Sequence, residues 1–316
     1  MTTLMRSGRS SLIGDLDVSV VPDADLASMT WFGVGGRADL LVRPQTMDAL
    51  RTLSRRCALS GVPLRILGSG ANLLVSDEGV DGVVVQLNAE QFTEVTFERA
   101  RDQTRLIAPA GADMARTMML AARHGLTGLE AMAGIPASIG GAIRMHAGGR
   151  FGTIADSLET VGCIARSGTA VVYPREELQF TYRSTNIPDP VIAHATFLLR
   201  PDDPLAVRDR IKEIFAYKKS TQPLADHSAG CTFRNPVDPV SDERVPAGRL
   251  IEEAGLKGLT EGGASISHHH ANFIVVRPGA SAGDIITLME RVRTRVRDHC
   301  GIELEDEVVI WRKAQP

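Results

Sequence analysis

Two glycine-rich stretches are the first places where this sequence could do chemistry. Leu67-Gly68-Ser69-Gly70-Ala71-Asn72 leaves an apolar run and offers successive main-chain N–H groups with little side-chain obstruction, an arrangement that cradles phosphate oxygens. Its spacing invites a Rossmann reading, but Asn72 takes the place of the third glycine. Leu73-Leu74-Val75 then continues as a strand where a helix should start, so that reading is rejected. The second stretch runs Ala133-Gly134-Ile135-Pro136-Ala137-Ser138-Ile139-Gly140-Gly141-Ala142 and is followed by Met145-His146-Ala147-Gly148-Gly149. Glycine this dense in apolar sequence implies that the main chain closely approaches another backbone or a planar cofactor. His268-His269-His270 raises a metal reading, but no carboxylate or cysteine stands at ligand spacing, and no metal is expected. The four cysteines, Cys57, Cys163, Cys231 and Cys300, contain no Cys-x-x-Cys pair, which argues against both a zinc site and a disulfide framework and fits a reducing compartment.

The elements that must hold these stretches are of mixed type. Met47, Leu50, Leu53 and Cys57 recur at helical spacing over residues 46–60, before Gly61 ends the helix. Short apolar runs bounded by Gly and Asp follow at 63–67, 73–75 and 83–87, and these read as strands. A strand at 105–108, a helix over 113–124 and strands around Val161, Val171 and residues 191–199 come next. Helices are predicted over 203–219 and 246–254, and a strand over 271–276. A long amphipathic helix carries Ile285, Met289, Val292, Val296 and Cys300 on one face, and a last strand lies near 304–311. Such mixing argues for an α+β protein of several lobes and against a regular doubly wound sheet.

Bulk properties narrow the function classes. With 35 Lys plus Arg against 38 Asp plus Glu, the net charge of -3 leaves no basic footprint for nucleic acid. An anionic ligand must therefore be met locally. No run of eighteen apolar residues is present, and the first thirty residues, with Arg6 and Arg9, lack the apolar core of a signal peptide. A cytoplasmic protein with no membrane association and no obligate protein partner is the expectation.

A family resemblance joins these pieces. Thr30-Trp31-Phe32-Gly33-Val34-Gly35-Gly36-Arg37-Ala38, the loop from Gly68 to Asp77 and the stretch from Gly128 to Gly148 stand in the order found in UDP-N-acetylenolpyruvoylglucosamine reductases. So do Phe180-Thr181-Tyr182-Arg183-Ser184, Ala229-Gly230-Cys231-Thr232-Phe233-Arg234-Asn235-Pro236 and Ala247-Gly248-Arg249-Leu250-Ile251-Glu252. Gly255-Leu256-Lys257-Gly258, His270-Ala271-Asn272-Phe273-Ile274-Val275 and Leu304-Glu305-Asp306-Glu307-Val308 complete a resemblance from about residue 27 to residue 310. It implies the vanillyl-alcohol-oxidase/PCMH-type FAD-binding fold, two lobes at 27–95 and 96–215 after an N-terminal extension (1–26), with a C-terminal α+β substrate-binding domain at 216–316.

The resemblance also implies an activity: NADPH-dependent, FAD-mediated reduction of UDP-N-acetylglucosamine enolpyruvate to UDP-N-acetylmuramate, a step of peptidoglycan precursor synthesis. Gly68, Ser69, Gly70, Ala71, Asn72, Gly134, Ile135, Pro136, Ser138, Gly140, Gly141, Ala147 and Gly148 would bind the cofactor. The first loop has no histidine to tether a flavin, so noncovalent FAD is expected, and the shorter type of the family is favoured. Arg183 would face the substrate carboxylate, Glu307 would stabilise the enol, and Tyr182, Lys218 and Asn235 would contact the nucleotide sugar. Glu307 is preferred to Glu305 because Val308 follows it, as in the family's Glu-Val pair. Cys231 stands where the family has a proton-donating serine, Ala137 where it often has glycine, and His146 where asparagine precedes Ala-Gly. Two rival readings are a different FAD-dependent oxidoreductase of the same fold and a catalytically impaired nucleotide-sugar binder.

Overall fold

In the computed structural model, which describes residues 12–238 and 241–313, the helices expected at 46–60 and 113–124 start on side-chain caps. Thr46 accepts the amide of Ala49 at the start of α1 (Met47–Leu59), and Asp113 accepts that of Arg116 at the start of α2 (Met114–Arg123). A third cap falls where the sequence suggested only a glycine-rich segment. Ser138 accepts from Gly141 and starts the short α3 (Ile139–Arg144), whose glycines hid its helical character.

The chain forms two compact units. One holds residues up to Ala24, Asp39–Ser69 and Gly82–Ala216, and the other holds Asp25–Ala38, Gly70–Asp81 and Tyr217 onward. In the first unit, β1 (Val18–Asp25), β2 (Arg37–Pro44) and β3 (Leu64–Leu67) join β5 (Val80–Gln86) in the order β1-β2-β5-β3, while β4 (Leu73–Val75) pairs elsewhere. The expected N-terminal extension begins outside the described residues, through residue 11, but its later part is this edge strand β1. Pro22 is tolerated in this strand because a missing N–H at an edge costs no ladder bond.

A larger sheet orders β12 (Ala170–Pro174), β11 (Leu158–Ile164), β15 (Val191–Pro201), β7 (Gln103–Pro109) and β6 (Thr96–Ala100), with β8 (Leu126–Thr127) also on β15. Two small hairpins complete the unit, β9 (Gly148–Gly149) with β10 (Gly152–Thr153) and β13 (Phe180–Thr181) with β14 (Ser184–Thr185). One buried apolar cluster runs through both sheets, from Val42, Leu53 and Val85 to Leu106, Ile139, Val161 and Phe197. The lobes expected at 27–95 and 96–215 therefore share a core. Helix α4 (Pro204–Thr221) leads out of this unit.

The second unit is built around α6 (Ala282–Cys300), started by a reciprocal Ser281–Asp284 capping box and ended by Gly301 at φ 71°. Asp77 adds its carboxylate to the amides of Ala282 (3.0 Å) and Gly283 (2.9 Å). Ile285, Met289, Val292 and Val296 are buried as their spacing predicts; Cys300, expected on the same face, is exposed, because the helix outruns its core there. With α6 pack α5 (Ala247–Glu253) and the sheet β16 (Thr260–Glu261), β17 (Ala264–Ile266) and β18 (Ile274–Val276).

The last strand, β19 (Val309–Trp311), runs parallel to β4, and the residues before it are held on the opposite side. Glu307 donates its amide to the Thr232 carbonyl (2.8 Å), Phe233 bridges Asp306, and Arg234 donates to the Glu305 carbonyl (2.8 Å). Asn272, 2% exposed, fixes the 232–234 segment in turn. Its side-chain oxygen accepts from the Phe233 amide (2.9 Å), its side-chain nitrogen donates to the Phe233 carbonyl (2.8 Å), and its carbonyl accepts from Thr232 (2.8 Å).

Replacing Asn272 with Ala would leave a buried amide and a buried carbonyl of Phe233 without partners. Unsatisfied buried groups cost roughly 1–3 kcal/mol each, so Asn272→Ala should lose about 2–6 kcal/mol in urea unfolding of the holoprotein. A loss below ~0.5 kcal/mol would show that this pairing does not hold the segment.

Candidate active site

Within the first unit, the two glycine stretches meet at Ser138. A Cβ built on Gly68 would lie 2.5 Å from the Ser138 hydroxyl oxygen, and one on Gly141 would lie 3.2 Å from it. The implied close approach is in good part chain against chain. A Cβ on Gly140 would strike Ala110, and one on Gly148 would strike Gly152 and Thr153. The amides in the first turn of α3 are also committed, Ile139 to Ala112, Gly140 to Ala110 and Gly141 to Ser138, so the expected cofactor contact at Gly140 and Gly141 cannot run through those N–H groups. Sequence could not reveal this, because it takes the fold to bring residues 110–112 against 139–140.

The first loop is different. Ser69 is exposed, Gly68 and Ala71 are half-buried, and Gly70 takes φ 68°, where a Cβ would sit 2.0 Å from the Met29 carbonyl oxygen of the second unit's own chain. A turn with small side chains and a left-handed glycine presents its main chain to a ligand, which fits a cofactor carrying a pyrophosphate. Asn72 departs from this. Its side-chain amide donates to the Glu307 carbonyl (3.1 Å) and its own carbonyl accepts from Val309 (3.1 Å), so it serves the C-terminal strand. Gly134 has φ 71° and, with Ile135 and Pro136, is half-buried ahead of Ser138; Ala147 is buried.

Arg183 lies in the turn between β13 and β14. Its φ of 56° puts a residue with a Cβ in the left-handed region, which costs roughly 1–2 kcal/mol unless other contacts hold it. Its Nη1 donates to the Gly148 carbonyl at 2.9 Å, and its guanidinium carbon stands 5.3 Å from the Tyr182 ring centroid. Both residues are half-buried. The hairpin thus belongs with the end of the second glycine stretch, a proximity that no spacing in the sequence reports.

In the second unit, Glu307 bonds to the carbonyl of Thr232, the neighbour of Cys231, and so these two expected residues come from adjacent paired segments. Glu305 is distinguished from Glu307 by environment: it is exposed and lies 3.6 Å from Arg234, whereas Glu307 is half-buried. Burial pushes the Cys57 thiol up to about 11 and the Cys163 thiol up to about 12, and Cys300 is at the exposed end of α6. Cys231 is half-buried beside the glutamate segment. Lys218, expected to contact the nucleotide sugar, is buried at 9% exposure near the end of α4, while Lys219 is exposed. Asn235 uses its side-chain oxygen to receive the Ala247 amide (2.9 Å) at the start of α5, so that atom is committed to the fold.

The histidine run is structural. His269 Nε2 donates to the Ser220 carbonyl (3.0 Å), and His270 accepts the Asn272 amide at Nδ1 (3.2 Å) with its ring 4.9 Å from that of Phe273. Burial holds the His270 imidazole below its usual range. Among the described residues no group of three or more His, Cys, Asp or Glu could hold a metal, and no helix is long and apolar enough to cross a membrane.

Comparison with known proteins places this geometry. The family model "FAD binding domain" matches residues 38–173, and "UDP-N-acetylenolpyruvoylglucosamine reductase, C-terminal domain" matches residues 222–311. The UDP-N-acetylenolpyruvoylglucosamine reductase of Desulfosudis oleivorans is 39% identical over 299 residues, covering 91% of this chain and 93% of that protein. That of Heliobacterium modesticaldum is 40% identical over 281 residues, covering 88% and 86%. The crystal structure of UDP-N-acetylenolpyruvylglucosamine reductase from Thermus caldophilus superposes with a TM-score of 0.76 at 38% identity, covering 93% of this chain and 98% of that one. The FAD-binding α+β fold expected from the sequence stands. With similarity running nearly the full length of its relatives, the chain belongs to the UDP-N-acetylenolpyruvoylglucosamine reductase family of FAD-binding oxidoreductases.

Proposed function

We propose that this protein reduces the enolpyruvyl ether of UDP-N-acetylglucosamine enolpyruvate to UDP-N-acetylmuramate in the cytoplasm, with NADPH as the reductant, for peptidoglycan precursor synthesis. The observation that carries the reading is the main-chain pairing of Glu307 with Thr232, which sets the family's terminal glutamate beside the segment that begins at Cys231. Residues up to 215 would hold the flavin, and residues 216–316 the sugar nucleotide.

Noncovalently bound FAD would supply the hydride chemistry, accepting from NADPH and giving to C3 of the enolpyruvyl group. The chain's own residues handle charge and the proton. Hydride addition builds negative charge toward the substrate carboxylate, and Arg183 offers a planar two-pronged donor that remains protonated at any working pH. Glu307 stabilises the enol form and orients the reacting groups. Cys231 gives the proton from its thiol to C2, and the thiolate left behind recovers a proton from solvent. An ordinary thiol titrates at about 8.5, so it holds this proton at neutral pH and still releases it more readily than a serine hydroxyl does. Tyr182, Lys218 and the remaining atoms of Asn235 would contact the sugar nucleotide.

Acid precipitation should leave a colourless polypeptide and release the flavin to the supernatant; colour retained on the pellet would mean a covalent link. Arg183→Lys should slow reoxidation of the reduced flavin by the enolpyruvyl substrate roughly tenfold or more while leaving flavin reduction by NADPH nearly unchanged, since a point charge cannot reproduce the fork. Equal losses in the two half-reactions would indicate that the arginine only maintains the fold. Cys231→Ala should keep FAD and its reduction but slow reoxidation at least ~100-fold in rapid mixing, whereas Cys231→Ser should retain much of the activity. An alanine variant reoxidised at the parental rate removes Cys231 from the mechanism.

A further inference from the structure

Among the described residues, one bond from Arg183 itself and one from another side chain tie the Arg183 hairpin to the end of the second glycine stretch. The other joins His146 Nδ1 to the Thr181 carbonyl at 2.6 Å. A carbonyl oxygen can only accept, so Nδ1 carries the proton in this contact. The other ring nitrogen, Nε2, is buried with no hydrogen-bond partner, and the ring lies 5.0 Å from that of Phe180, the residue before Thr181. His146 also has φ 44°, so the residue that makes this bond and the Arg183 of the hairpin it holds both have backbone in the left-handed region. A side chain that accepts a strained backbone and an unpaired buried nitrogen to make one short bond is fixing the position of what it touches.

We propose that His146 is a positioning residue for Arg183: through Thr181 it holds the hairpin so that the guanidinium is set for the substrate carboxylate. The proposal rests on the carboxylate role of Arg183 stated above. It also explains how histidine can stand where the family has asparagine. The asparagine side-chain amide lies the same number of bonds from the backbone as Nδ1, so it can donate to the same carbonyl, and asparagine is among the residues that best tolerate positive φ.

The test uses the oxidised holoenzyme, titrated with UDP-N-acetylglucosamine enolpyruvate and followed by perturbation of the flavin absorbance, together with stopped-flow measurement of both half-reactions. His146→Leu removes the donor at similar bulk. It should weaken binding of the enolpyruvyl sugar nucleotide roughly tenfold, the scale of one lost hydrogen bond, and slow reoxidation, with flavin content and reduction by NADPH unchanged. His146→Asn should restore binding to within about twofold of the parent. Parental binding by His146→Leu, failure of His146→Asn to restore it, or a parallel fall in both half-reactions would each overturn the proposal. Arg183→Lys, run alongside, separates the two ideas. If it weakens binding while His146→Leu does not, the tether alone is wrong; if it too leaves binding at the parental level, the carboxylate role fails, and the tether proposal fails with it.

Discussion

The second unit depends on one buried amide. Asn272 reads both main-chain groups of Phe233 with its side chain and holds Thr232 with its own carbonyl. Neither Thr232 nor Phe233 could be buried without partners for those groups, and no regular sheet neighbour supplies them on that side. With the segment fixed, its opposite edge receives Glu305, Asp306 and Glu307, and the chain beyond them pairs with β4. The relation between the Cys231 segment and Glu307 is thus a consequence of backbone satisfaction, set by a residue whose side chain is spent on main-chain groups. His270 belongs to the same arrangement, since its neutral Nδ1 takes the Asn272 amide and burial keeps the ring neutral.

The first unit uses glycine to a related end. Where Gly68, Gly140 and Gly148 lie, the space a Cβ would fill is taken by the chain itself, so the density of glycine reflects how tightly the loops close on one another. That closure leaves the 68–71 turn with little more than main chain to show, and it brings the carbonyl of Gly148 within reach of Arg183. Packing and function are not alternatives at these positions. A loop must fit closely against its neighbours before it can offer a defined row of amides to a ligand.

Much of this was legible in the sequence, and the failures have physical reasons. The helices that start at Met47 and Ala282 announced themselves through apolar periodicity, and the FAD-binding fold through the order of its motifs. Strand β1 was missed because its stretch was assigned to the N-terminal extension, and α3 because glycine masks helical propensity. Cys300 was assigned to the buried face because periodicity cannot say where a core ends. At the site, residue types could nominate Arg183, Cys231 and Glu307, but not the commitments of Asn72 and Asn235 to backbone groups, the burial of Lys218 or the His146 tether. Each of these depends on contacts between residues far apart in the chain.

The discontinuity of the second unit bears on how the protein comes to be folded. Its β4–β19 pairing and the Asn72–Glu307 bond close a loop of 235 residues, and the longest segment of the first unit, Gly82–Ala216, lies inside that loop. Contacts this distant are slow to form by chance encounter, since the entropy of closing the loop is lost before any contact rewards it. A first unit that has already collapsed shortens the effective loop by holding residues 69 and 82 close to their final places. Connectivity therefore favours a first unit that gains its core before residues 70–81 meet the strand at 309–311. Without that strand, β4, wholly apolar and buried in the finished fold, would be an edge open to wrong pairing.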